Sequence, residues 1–220
     1  MLPFLAVVKL FVDSADATEI GACVAAQGAS GAITSAARLV EAAGRAGRAP
    51  GDLLRAICEV ANGPVTVDVS AAGDDGEGLL GEARVWANVA TNVVVRLPPT
   101  AIGLEIVRVC AKEGIRAAVG AAPGVEPALA AARAGAAYVT SLVGRADGVD
   151  GNDVIRKLVA LFRTMNVGTE IVAGGIHLPT DVIDAAMAGA HAAVAPGAVL
   201  RSLEAESTRL ADMATRSGRG

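Results

Sequence analysis

The sequence predicts a single (β/α)₈ barrel, and three observations carry that reading. Eight short apolar segments recur along the 220 residues, each followed by a helical pattern. Eight such βα units favour a closed barrel over an open, doubly wound sheet. Hydrophobic residues make up 53% of the chain and aromatics 2%, so Ala, Val, Leu and Ile must build the core. Buried parallel strands set against Ala-rich helices have that composition. The open sheet is the competing arrangement, but the glycine-rich dinucleotide fingerprint that would favour it is absent after the first strand. No break in composition marks a second domain, so residues 1–220 read as one unit with tight loops.

Lys9-Leu10-Phe11-Val12-Asp13 is the first strand, ending on a carboxylate. Asp16 caps a helix to about Gln27, with Glu19 as its capping-box partner. Gly31 to Thr34 is the second strand; Ser35 starts a helix ending near Gly47, and Pro50-Gly51-Asp52 opens another that stops at Asn62-Gly63. Pro64 to Val69 is the third strand, with Asp68 near its end. Asp74-Asp75-Gly76 leads into an amphipathic helix carrying Trp86. Asn92 to Pro98 is the fourth strand, apolar except for Arg96, and Pro98-Pro99-Thr100 begins a helix ending at Glu113-Gly114. Ile115 to Val119 and Ala137 to Thr140 are strands five and six, separated by a helix from Gly124 to Ala134. A Gly- and Asp-rich loop, Gly144 to Gly151, precedes the helix Asn152–Met165. Thr169 to Ala173 runs into Gly174-Gly175, and Pro179 to Gly189 is helical. His191 to Ala195 is strand eight, and a last helix runs from Val199 to about Met213, with Thr215 to Gly220 frayed.

The net charge is −4 and no basic run occurs, which argues against nucleic acid. Cys23, Cys58 and Cys110 are widely spaced in helical patterns and read as reduced core thiols of a cytoplasmic protein. Met1 to Val8 is apolar but lacks signal-peptide anatomy and is too short to span a membrane, as is Ala185 to Leu200. No membrane association, cofactor or metal site is expected; two Asp around an Arg do not make a ligand set.

A barrel works at the carboxyl ends of its strands. Those ends carry Asp13, Thr34-Ser35, Asp68, Arg96, Gly120, Ser141 to Arg145, Gly174-Gly175 and Pro196-Gly197. Two carboxylates, two arginines and glycine turns after strands seven and eight suit an anionic ligand, because such turns present backbone N–H groups to phosphate. His177 lies just past the Gly174-Gly175 turn and is either a proton shuttle or a surface or capping residue, whereas His191 opens strand eight at the opposite end.

Several of these pieces resemble the small transaldolases, the group that includes fructose-6-phosphate aldolase, over nearly the whole chain. Leu10 to Asp16 resembles that family's opening strand with its Asp. Gly63-Pro64-Val65, Val93 to Pro98 with Thr100 and Gly103, and Glu113-Gly114-Ile115 follow in order. Ala134 to Val139, Val143 to Asp147 and Ala198-Val199-Leu200 complete the framework. The resemblance implies sugar-phosphate chemistry and ring-like homo-oligomers, although Glu204 to Gly220 lacks the family's aromatic-rich terminal helix.

The functional positions depart from that pattern. The family's Schiff-base lysine falls on Arg96, its Thr-Thr-Asn-Pro turn reads Ile33-Thr34-Ser35-Ala36, and its strand-three acid or amide is Asp68. Its strand-five polar residue is Gly120, its strand-six aromatic is Leu142, and its phosphate-binding serine is Gly175. Asp13 and the phosphate-contacting Arg145 remain. An imine needs a neutral amine, and a guanidinium stays charged, so the family's covalent mechanism is not expected here.

Arg96 then has two readings. It is either a fork that holds a carbonyl, carboxylate or phosphate, or a core ion pair with Asp13, Asp68 or both. Three functions follow. The first is an enzyme without a Schiff base, in which Arg96 polarises a carbonyl and Asp13 or Asp68 moves a proton. Arg145, Gly174, Gly175 and Ser35 would bind the substrate's anionic end. The others are a non-catalytic binder of a phosphorylated metabolite or partner protein, and a structural role with the mouth closed by its own ion pairs.

Overall fold

The fourth strand, β4 (Val93–Leu97), shows how the sheet is built. Its side chains alternate: Val93, Val95 and Leu97 pack outward into the large core shared with the helices, while Val94 faces inward. The inward cluster contains Phe11, Ile33, Val94, Ala118, Tyr138, Val172 and Ala192, drawn from seven strands, and it fills the middle of a barrel. The computed structural model describes residues 8–69, 76–122, 124–146 and 149–205, by backbone alone at 145, 146 and 149.

With β4, the strands β1 (Lys9–Asp13), β2 (Ala32–Ser35), β3 (Val65–Asp68), β5 (Ala117–Val119), β6 (Tyr138–Leu142), β7 (Glu170–Gly174) and β8 (Ala192–Ala195) form the ring. Neighbours pair in parallel, and β8 closes on β1 between Lys9↔Ala192 and Val12↔Ala195. The expected closed barrel is therefore the observed one. The helices are α1 (Ala17–Gln27), α2 (Ala36–Ala46), α3 (Pro50–Val60), α4 (Gly76–Ala87), α5 (Ala101–Lys112), α6 (Val125–Ala134), α7 (Gly151–Thr164) and α8 (Pro179–Met187). A last helix starts at 197 and is described to 205. It buries Val199, Leu200 and Leu203, and Arg201 reaches Glu19 on α1 at 3.3 Å.

Three local expectations change. Asp16 caps α1 by accepting from Thr18 N, but Glu19 does not turn back on it. Glu19 instead accepts from Ser14 Oγ at 2.8 Å and faces Arg201, so a tertiary contact replaces the capping box. β5 begins at Ala117 rather than Ile115, and the loop after β6 contains a short antiparallel ribbon, Arg145–Ala146 against Val149–Asp150. The expectations for Met1 to Val7, Asp74-Asp75, Asp147 and Glu206 to Gly220 lie outside the described residues.

The two ends of the barrel differ. At the amino-terminal end Lys9 pairs with Glu170 at 2.7 Å, and Arg116 donates to Tyr138 Oη at 2.8 Å. Above them Phe11 meets Tyr138 edge-on at 6.2 Å. Gly31 makes room for that packing, since a Cβ there would lie 2.8 Å from the Phe11 ring. The opposite end opens into a cavity. Among the described residues no helix is long and apolar enough to cross a membrane.

Candidate functional site

The period of two along each strand places the site. Phe11, Ile33, Val94, Ala118 and Val172 face inward, so the residue two further on points into the carboxyl-end mouth. Those residues are Asp13, Ser35, Arg96, Gly120 and Gly174, and with Asp68 they line a cavity of about 540 Å³. That volume suits a small metabolite.

Arg96 and Asp68 are direct register partners on β4 and β3. Arg96 grips Asp68 through Nε to Oδ1 and Nη2 to Oδ2, the latter at 2.5 Å. Of the two carboxylates open to Arg96 on sequence grounds, Asp68 is thus the partner. The side chains of Arg96 and Asp68 are 20% and 34% exposed, so the pair is neither fully buried nor freely solvated. Gly120 lies beside the arginine: a Cβ there would sit 3.5 Å from its Cδ and Nε.

Asp13 has a different partner, Arg38 Nη1. Arg38 lies on α2 rather than at a strand end, so a reading of the strand ends does not reach it. A signal existed. Ser35 caps α2 by accepting from Arg38 N at 3.2 Å, which puts a cation in the first helical turn against the helix dipole. An arginine there calls for a carboxylate, and β1 supplies one. The Ser35 hydroxyl oxygen is accordingly engaged as a cap while its residue lines the mouth.

On the far side of the mouth, Gly175 adopts φ 71°, the left-handed conformation that favours glycine. Gly174 has no room for a side chain, since a Cβ would meet Thr140 Cγ2 at 2.9 Å. Leu142 lies against this turn and is half exposed to the cavity. His177 is at the rim, where its backbone N–H donates to Asp181 Oδ2 at 2.8 Å. His191 sits at the opposite end and accepts from Ile171 N through Nδ1 at 3.0 Å. The Arg145 backbone belongs to the ribbon beside the mouth; its side chain lies outside the described residues. Thr34, also in the cavity wall, is buried with no hydrogen-bond partner for Oγ1 among the described residues.

None of the chain's lysines lines this cavity. Lys9 is at the amino-terminal end with Glu170, Lys112 is in the last turn of α5, and Lys157 on α7 pairs with Asp153 at 2.7 Å. Among the described residues no three His, Cys, Asp or Glu side chains are grouped to hold a metal.

Fold and mouth together define a (β/α)₈ barrel with a cavity lined by charged side chains at its carboxyl face. Within that class the chain belongs to the transaldolase/fructose-6-phosphate aldolase family, whose model matches residues 10–217. It is 36% identical over 197 residues to the "Probable transaldolase" of Thermoanaerobacter sp., covering 89% of this chain and 88% of that protein. It is 40% identical over 198 residues to the "Probable transaldolase" of Rhodospirillum centenum, covering 89% and 83%. Among solved structures, thiamine phosphate pyrophosphorylase from Pyrococcus furiosus superimposes with a TM-score of 0.60 at 20% identity, over 88% of this chain and 87% of that one. That likeness concerns the fold alone.

Proposed function

We propose that this chain binds and acts on a sugar phosphate or related carbonyl metabolite at the barrel mouth, without a Schiff base. One observation carries the reading. The rim of β4 offers the cavity a guanidinium, Arg96, and no lysine lines the cavity. Imine formation needs a neutral amine, which a guanidinium does not provide. Arg96 uses Nε and Nη2 on Asp68 and keeps further N–H groups to polarise a carbonyl oxygen. Asp13 or Asp68 moves the proton. Gly174, Gly175 and Arg145 hold the anionic end, and Ser35, the α2 cap across the mouth, contacts the rest of the substrate. The names of the relatives support transaldolase-like chemistry, while the route without a Schiff base rests on Arg96 and the cavity lining alone.

The two-point grip of Arg96 on Asp68 favours a second reading, a non-catalytic binder of the same ligand class. Borohydride reduction in the presence of fructose 6-phosphate, followed by intact mass, tests the core of both. No covalent adduct is expected, and a stable adduct would refute the reading. Turnover of a panel of sugar phosphates then separates enzyme from binder. The reading takes the chain as one cytoplasmic, self-associating domain; three free, buried cysteines support a reducing compartment.

A further inference from the structure

The mouth holds two guanidinium–carboxylate pairs, and they are not equivalent. Arg96 commits two nitrogens to Asp68, and the two side chains are 20% and 34% exposed. Arg38 commits one nitrogen to Asp13, and those side chains are 45% and 46% exposed. Among the described residues Asp13 is the sole side-chain partner of Arg38, which leaves four of its five N–H donors for something else. A half-exposed, single-point ion pair contributes little and is readily exchanged for another anion. A two-point pair in a partly buried setting is not.

The positions differ as well. Arg38 stands at the start of α2, over β1 and β2, whereas the Gly174-Gly175 turn follows β7, with β8 and β1 between it and β2. The cavity reaches both. An anion held at the β7 turn therefore leaves Arg38 free for a second one.

We infer that Arg38 is an anion receptor that selects ligands carrying a second negative group at the end away from the β7 turn. It exchanges Asp13 for that group, and Asp13 is thereby released into the cavity as a free carboxylate. The ligand class is a bis-anionic carbonyl compound, a phosphorylated sugar with a further phosphate or carboxylate. This inference rests on the binding site proposed above.

Calorimetric titration of the full chain with fructose 6-phosphate and fructose 1,6-bisphosphate tests it. The bisphosphate should bind about tenfold more tightly. Arg38→Gln should erase that preference while leaving monophosphate affinity within about threefold, a split that a folding defect would not produce. Asp13→Asn, which removes the competing carboxylate, should tighten bisphosphate binding further. Equal affinity of the unaltered chain for the two ligands overturns the role of Arg38 and leaves the proposed site standing. So does an equal loss for both ligands in Arg38→Gln. Binding of neither ligand overturns both.

Discussion

Arg96 holds Asp68 from the neighbouring strand, and the two are level in the parallel register of β3 and β4. The sheet itself thus sets their separation, and no loop has to order for the fork to form. Removing one partner leaves a charge in a partly enclosed wall. We expect Asp68→Asn to lower unfolding stability by about 1–2 kcal/mol, below the cost for a fully buried pair because both groups retain solvent contact. Arg96→Met with Asp68→Asn should cost less than the sum of the single changes. Urea unfolding of the double-mutant cycle measures this, and strict additivity would show that the pair contributes nothing.

The stem of Arg96 runs against Gly120, where a Cβ would be at ordinary contact distance, 3.5 Å. Gly120→Ala should therefore be accepted within about 1 kcal/mol, whereas the added volume of Gly120→Leu must displace the guanidinium. Stability near that of Asp68→Asn is the expected result for the leucine. Combining Gly120→Leu with Asp68→Asn should then add little. Full additivity would mean that the fork survives beside the leucine.

Much of this arrangement is legible in the chain itself. Val93-Val94-Val95 followed by Arg96 and Pro98 announces a buried strand with one inward cation, and alternation alone points Arg96 into the mouth. Which carboxylate it meets is not legible, because that depends on register between strands distant in sequence. Asp68 is level with Arg96, whereas Asp13 is level with Ile33. Arg38 escaped for a related reason: its role arises from a helix start crossing over another strand's end. Glu19 illustrates the opposite error, a local capping signal overridden by Ser14 and Arg201.

Two glycines separate backbone packing from helix propensity. Gly103, in the first turn of α5 just after the Arg96 strand, faces Pro98 O, and a Cβ would come within 2.1 Å of it. Gly103→Ala should cost about 2–4 kcal/mol because backbone rather than a side chain must move. Gly81 in α4 has nothing within 4 Å, so Gly81→Ala should stabilise by about 1 kcal/mol through reduced unfolded-state freedom. Thermal unfolding of the two variants should shift in opposite directions; shifts of the same sign would contradict this packing.

The buried thiols make stability depend on alkaline pH. Burial, with a smaller contribution from Glu59, pushes the Cys58 thiol up from its ordinary 9.0 to about 11. Burial also raises Cys23 and Cys110. In the unfolded chain these thiols lose their protons first, so the folded state binds more protons between the two values, and stability falls as pH rises through that window. The Cys58 contribution is complete below about pH 9 and is lost as pH approaches 11, with a total on the order of 2 kcal/mol. Comparison with Cys58→Ala isolates it. The stability difference between the two chains in urea should be constant up to about pH 8.5 and shrink by that amount towards pH 11. A difference that stays flat across the whole range would show that Cys58 ionises equally in both states. The same burial predicts that none of the three cysteines is alkylated in the native protein at pH 8, while all react in urea.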